Sequence, residues 1–282
     1  MSRESRPMVF VVGADACPEG WVAVALTNGR FAGASNYKSF AALVDDAADA
    51  FAIGVDIPIG LLEEGQRFCD GMVKAQLGPR QRETWATPPR PAVTAATYET
   101  ADTQMRRLTG MGLPRPTYAL HAKILEVEAV VRRQASAEAS IAPYFTARQI
   151  MTRRESKSAL RKYARIIEPD EERQKRLSRA RPGGRIIEAR PDASFAEMNE
   201  GRPLSHDKRS YNGVMMRLRL LERAAIRIPL EMDDIGGVQV EDVLDAAAVA
   251  WTTHRYAMQR ARSLPSREDW QYDGERAIAI WI

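Results

Sequence analysis

Apolar and polar positions along the N-terminal third follow the rhythm of a sheet. Met8-Val9-Phe10-Val11-Val12-Gly13-Ala14-Asp15 is an apolar run that predicts a first strand ending at Asp15. The turn residues Ala16-Cys17-Pro18-Glu19-Gly20 follow, and Trp21 to Leu26 returns as a second strand. Asn28-Gly29 is a hairpin signal, because both residues tolerate the positive φ that a two-residue turn demands. A third short strand is expected through Phe31 to Ala34. Ser39 is placed to cap a helix with apolar positions Phe40, Leu43, Val44 and Ala47, ending near Ala50. A fourth strand then stops at Asp56, and a helical crossover of this kind is right-handed.

Beyond Asp56 the rhythm changes. Pro58 cannot donate to a ladder, so Ile57 to Leu61 leaves the sheet. Thr87 to Pro91 reads as a rigid loop, and helices are expected over Tyr98 to Leu108 and Ala119 to Ala135. A fifth strand is expected to close at Glu188, followed by a short helix from Phe195 to Gly201. Gly213 to Ala225 and about Val240 to Arg262 are helical, and Ala277 to Ile282 predicts a terminal strand. The order implies an α/β domain with helical insertions between its fourth and fifth strands.

A chain of 282 residues at 45% hydrophobic and 28% charged can bury a large core, and no run reaches the roughly eighteen apolar residues of a membrane span. Met1 to Pro7 reads as a frayed terminus leading into a strand, not as a signal peptide, which makes the cytoplasm the default compartment. Cys17 and Cys69 are too few for a disulfide framework, and His121, His206 and His254 lack ligand spacing. A metal site here would use oxygen ligands. The net charge of +4 is unevenly spread: thirteen Lys or Arg against five Asp or Glu between Arg148 and Arg185 give +8, leaving −4 elsewhere. Such a basic segment is the footprint of a nucleic-acid partner or of a solvated helical surface.

Four acids carry the candidate chemistry. Asp15, Asp56 and Glu188 close apolar strands, and Asp245 lies in the apolar helix run Val243 to Trp251. A carboxylate in apolar company is paired, capped or metal-bound. Parallel strands would bring the first three to one sheet edge, and the small residues after Asp245 would let its helix approach. The cluster then suits two divalent ions, Mg2+ with Mn2+ as substitute, and the in-line hydrolysis of a phosphodiester. Arg67 and Lys123 are candidate contacts to substrate phosphate.

Several stretches, in this order, resemble the family of predicted ribonuclease H-like nucleases known as domain of unknown function 429. They are Gly13 to Trp21, Val55 to Leu61, Arg67 to Asp70, Pro88 to Pro91, Lys123 to Val127, Ile187 to Phe195 and Asp242 to Ala246. The resemblance implies a single domain over 1–282, a ribonuclease H-like mixed sheet flanked by helices, with a basic helical insertion at about 136–184. It implies catalytic, metal-holding acids at Asp15, Asp56, Glu188 and Asp245, while the charge of residues 148–185, outside the resemblance, makes that segment the expected holder of a nucleic-acid substrate. The chain departs from the family pattern at Arg190-Pro191-Asp192, where His-Pro-Glu is usual, and at Glu128, where Asp is usual. Arg190 sets a cation beside the acids, suited to a substrate phosphate. The alternative expectation is a non-catalytic nucleic-acid or protein-binding module on the same fold. An actin-like kinase would need a second, glycine-rich copy of the domain, which the sequence lacks.

Overall fold

The computed structural model describes residues 8–78, 86–134, 186–232, 235 and 237–282. The basic segment and the expected insertion therefore lie outside the described residues, as does Arg185.

Five strands form one mixed sheet in the order β3-β2-β1-β4-β5. They are β1 (Phe10–Cys17), β2 (Gly20–Thr27), β3 (Arg30–Tyr37), β4 (Ala52–Val55) and β5 (Ile186–Glu188). The first three are joined by tight antiparallel turns, while β4 and β5 run parallel to β1. The Asn28-Gly29 turn has positive φ at both residues, 51° and 75°, as the hairpin signal required. Helix α1 (Phe40–Asp46) begins where the Ser39 side chain accepts from the Ala42 N–H, and it carries the chain from β3 back to β4.

Between β4 and β5 come α2 (Phe68–Leu77), α3 (Arg90–Val93), α4 (Tyr98–Thr109), α5 (Arg115–Ala119) and α6, over 121–134. Helix α2 is not among the elements expected from the sequence; Cys69, Val73 and Leu77 bury one face of it at helical spacing. After β5 follow α7 (Pro191–Met198), α8 (Tyr211–Arg223) and α9 (Val240–Ala257). Helix α7 starts four residues before the expected Phe195, because Pro191 fits the first turn, where its missing N–H is not needed. The expected terminal strand is split. Residues Arg276–Ile278 form β8, paired with β7 (Gln271–Asp273), and Ile280–Trp281 form β9, paired with β6 (Ser263–Leu264).

Strand alternation divides the core into two layers. Val12, Ala14, Trp21, Ala23, Ile53 and Val55 face α1 and α6. Val11, Val22, Val24 and Leu26 face α8 and α9 on the other side. Helix α9 lies close on this second face because both surfaces are stripped down. A Cβ on Gly13 would collide with the backbone of Ala246 and Ala250, and one on Gly54 with the side chains of Thr253 and Val249. Gly13 meets Ala246 and Ala250 while Gly54 meets Val249 and Thr253, and this close approach carries the acid of α9 to the sheet.

Candidate functional site

Asp15 lies two residues inside the end of β1, on the face that α9 covers, opposite Val22 of β2. Asp56 is the first residue after β4, and its N–H donates to the Ala14 carbonyl, which prolongs the parallel pairing beside Asp15. Asp245, one turn into α9, is 2% exposed. Burial first, then the Asp56 and Asp245 carboxylates, raise Asp15 well above the ordinary carboxylate range. Burial likewise raises Asp56, against the pull of Arg190 and Lys208. Asp245 is pushed up to about 7, by burial first, with Asp192 and Asp56 adding to it and Lys208 opposing. Three acids from three elements thus share one electrostatic environment.

Glu188 stands differently. The register pairs it with Val55, whose side chain faces α1 and α6, so its carboxylate leaves the sheet on the opposite side from Asp15. There it is fully engaged. Arg67 Nη2 lies 2.8 and 2.7 Å from its two oxygens, and the Ile59 N–H donates at 2.7 Å. Arg190 joins the two halves: its Nη1 donates to Asp56 Oδ1 at 3.2 Å, and its Nη2 lies 3.3 Å from Glu188 Oε1. Asp70 completes this group, 3.5 Å from Arg67 and 3.8 Å from Arg190, while its Oδ2 accepts from the Thr87 N–H.

Arg67 is almost wholly buried. Its Nη1 donates to the Gly60 carbonyl, and its Nε and Nη2 reach the Cys69 sulfur at 3.3 and 3.0 Å. The geometry makes it a strut that holds the loop after β4 to Glu188. Burial of Arg67 would lower its pKa, but Asp70 and Glu188 outweigh that and raise it. Lys123 is also committed elsewhere. Its ammonium donates to the Gly20 carbonyl at 2.8 Å and sits 4.6 Å from the centre of the Trp21 ring. Its motif partner Glu126 accepts from Trp21 Nε1 and from the Phe40 N–H, tying α6 to β2 and α1. Glu128 binds Arg90, which also pairs with Asp273 and Glu63.

On the sequence alone Lys208 reads as an exposed charge, and the structure corrects this. Lys208 stands in a polar turn with no apolar neighbours to mark it. Its Nζ donates to Asp245 Oδ2 at 2.6 Å. Burial opposes its charge, yet Asp245, then Asp15 and Asp56, hold its pKa above the usual lysine range. Asp245 Oδ1, in contrast, is buried with no hydrogen-bond partner. Among the described residues no group of three acids, histidines or cysteines is drawn together as a ready metal nest. Asp15, Asp56 and Asp245 offer oxygen donors, the kind a hard divalent ion prefers, and one of them is an orphaned carboxylate oxygen, but they are not drawn into an ion-holding arrangement. Glu188 has no oxygen to spare.

A family model described as "Protein of unknown function (DUF429)" matches residues 13–142 and 137–269. No curated protein and no solved structure matches the chain.

Proposed function

The chain belongs to this DUF429 family, and we propose that it is a metal-dependent phosphodiester hydrolase, a nuclease on a ribonuclease H-like fold. The observation that carries the reading is the convergence of Asp15, Asp56 and Asp245 on one side of the sheet edge, each with a raised pKa. Such a group is costly without a cation. The mixed sheet, with its parallel strands delivering acids to one edge, supports the fold reading.

In this reading Asp15, Asp56 and Asp245 hold Mg2+ or Mn2+, and Glu188 serves as the anchor that positions Arg67 and Arg190. A bound divalent ion supplies Lewis acidity at the phosphoryl oxygens and stabilises the charge that develops in displacement. Arg190 is the residue placed to orient a phosphate, because it is shared between the two acid groups and its guanidinium forks toward both. The basic segment 148–185 supplies sequence-independent contacts to the nucleic-acid backbone.

The second reading is a binding module without catalysis. It is favoured by the ion pairs that already satisfy Glu188 and by the absence, among the described residues, of a ready metal nest. Two measurements separate the readings. In the nuclease reading Mn2+ raises the melting temperature, the protein cleaves RNA, DNA or a hybrid, and Asp15→Asn or Asp245→Asn removes both effects while the fold persists. A wild-type chain whose melting is indifferent to Mn2+ and which cleaves none of these leaves the binding module.

A further inference from the structure

Helix α2 is apolar on two sides, and only one of them is covered. Cys69, Val73 and Leu77 face the core. Phe68 and Met72, on the other side, stay 58% and 41% exposed. Between them Gly71 leaves the helix bare: among the described residues, a Cβ there would meet nothing within 4 Å. A glycine inside a helix weakens it relative to alanine, and no neighbour here requires one. Such a glycine suits a place where another molecule comes close to the backbone.

This side of α2 borders an open groove of about 750 Å3, within the range of ligand sites. Leu108, at the end of α4, and Pro265 complete its apolar lining. The walls are fastened to one another. The Gly65 N–H donates to the Leu108 carbonyl. Gln271 clamps the start of α2: its Oε1 accepts from the Phe68 N–H at 2.6 Å, and its Nε2 donates to the Gln66 carbonyl at 3.2 Å. The groove is preformed.

Charge decides what it suits. Arg67 also lines it, but its side chain is 1% exposed and held by Glu188. The exposed charge in the lining is then the carboxylate of Asp269, which repels a phosphate. A flat, uncharged ring is not repelled: it stacks on Phe68 and turns its amino and amide edges to Asp269 and Gln66. Arg67 fixes the location as well, because one residue joins the groove to Glu188 and the acid edge.

We propose that this groove is a base-binding subsite, in which Phe68 stacks on a nucleobase of a single-stranded nucleic acid whose backbone is held elsewhere. The inference rests on the nucleic-acid reading above and narrows the substrate to strands with unpaired bases near the acid edge. In a duplex the faces of the bases are already stacked on one another.

The test is the anisotropy of labelled, mixed-sequence single strands, DNA and RNA, titrated with the full-length chain. Chelator is present, which on the metal-dependent reading stops cleavage. Each strand is compared with an abasic counterpart of equal length and charge. The wild type binds the ordinary strand more tightly than the abasic one. Phe68→Leu keeps an apolar side chain without a flat ring, and Gly71→Leu fills the groove. Each weakens binding of the ordinary strand roughly tenfold and leaves the abasic strand unchanged, whereas Phe68→Tyr binds as the wild type does. The salt dependence stays the same in every variant, because no phosphate contact is lost. Phe68 is exposed and Gly71 has open space beside it, so the variants fold, and their melting temperatures verify it.

Equal wild-type affinity for ordinary and abasic strands overturns the proposal and leaves the nuclease reading standing. So does a Phe68→Leu or Gly71→Leu chain that binds like the wild type, or one that loses both strands alike. A wild type that self-associates and is made monomeric by Gly71→Leu overturns it too, by assigning the groove to a second copy. No binding of any strand overturns the nucleic-acid reading together with this one.

Discussion

At the scale of single residues, the proposed metal would compete with protons for the same oxygens. Asp245 titrates near 7 in the folded chain and near 3.8 when free, with burial the chief cause. Between those values the folded state binds the extra proton, so this group's contribution to stability declines as pH rises from about 4 to about 7. Asp15 and Asp56, also raised, act in the same direction. In chelator the melting temperature of the wild type therefore falls between pH 5 and pH 8 by more than that of Asp245→Asn. Mn2+ at pH 8 recovers the difference; thermal melts of the two proteins, with and without the ion, give the comparison. That Asp15, Glu188 and Asp245 lie buried was legible in the sequence, because each sits in or ends an apolar run. The face Glu188 occupies was not, since side-chain parity depends on register with β4 across more than a hundred intervening residues. Lys208 was illegible for a different reason: a lysine in a polar turn looks the same whether or not a distant helix brings it an aspartate.

At the scale of elements, the site depends on how near α9 comes to the sheet. Gly13→Ala places a methyl group against the backbone of Ala246 and Ala250, which no rotamer change relieves. The expected result is a loss of at least about 1–3 kcal/mol in stability, seen as a lower urea midpoint. A larger loss is the sign that the helix fails to dock. An unchanged midpoint would mean that the helix is free to shift outward. Here the sequence was a good guide where a local signal is strong: the Asn28-Gly29 hairpin and the Ser39 cap form where the pattern predicts. It was a poor guide for α2, whose interior Gly71 weakens the helical pattern although Cys69, Val73 and Leu77 keep its spacing. The terminal run failed as one strand because its two halves pair with different partners, β7 and β6.

At the scale of the whole molecule, the proposed function would separate chemistry from capture by charge. The described sheet edge gathers acids, and the basic residues are concentrated between Arg148 and Arg185. Replacing Arg153, Arg154, Lys157 and Arg161 together with serine is expected to weaken nucleic-acid binding across all sequences alike. The dependence on salt should flatten by roughly one in log–log slope for each phosphate left without its protein cation. Binding measured across a salt series reads both effects, and an unchanged affinity takes the segment out of the interface. Mn2+ binding should be unaffected, because none of these residues belongs to the acid group. The α/β architecture, a sheet flanked by helices, was readable in advance from strands alternating with amphipathic helices. Of the small two-stranded sheets beside it, β8 and β9 fall largely within the expected terminal strand, whereas β6 and β7 were not legible, because each is two or three residues long and holds its shape only through its pairing partner.

The fit of Gly13 and Gly54 against α9 also fixes when the acid group comes into being. A ribosome that has released only β1 to β4 has made Asp15 and Asp56, yet the third carboxylate is still to be translated. On the proposed activity, competence arrives as a late event of maturation, when the last long helix settles into its glycine-lined seat. A nascent or misdocked chain is then inert, and the cell is spared a half-made cutter.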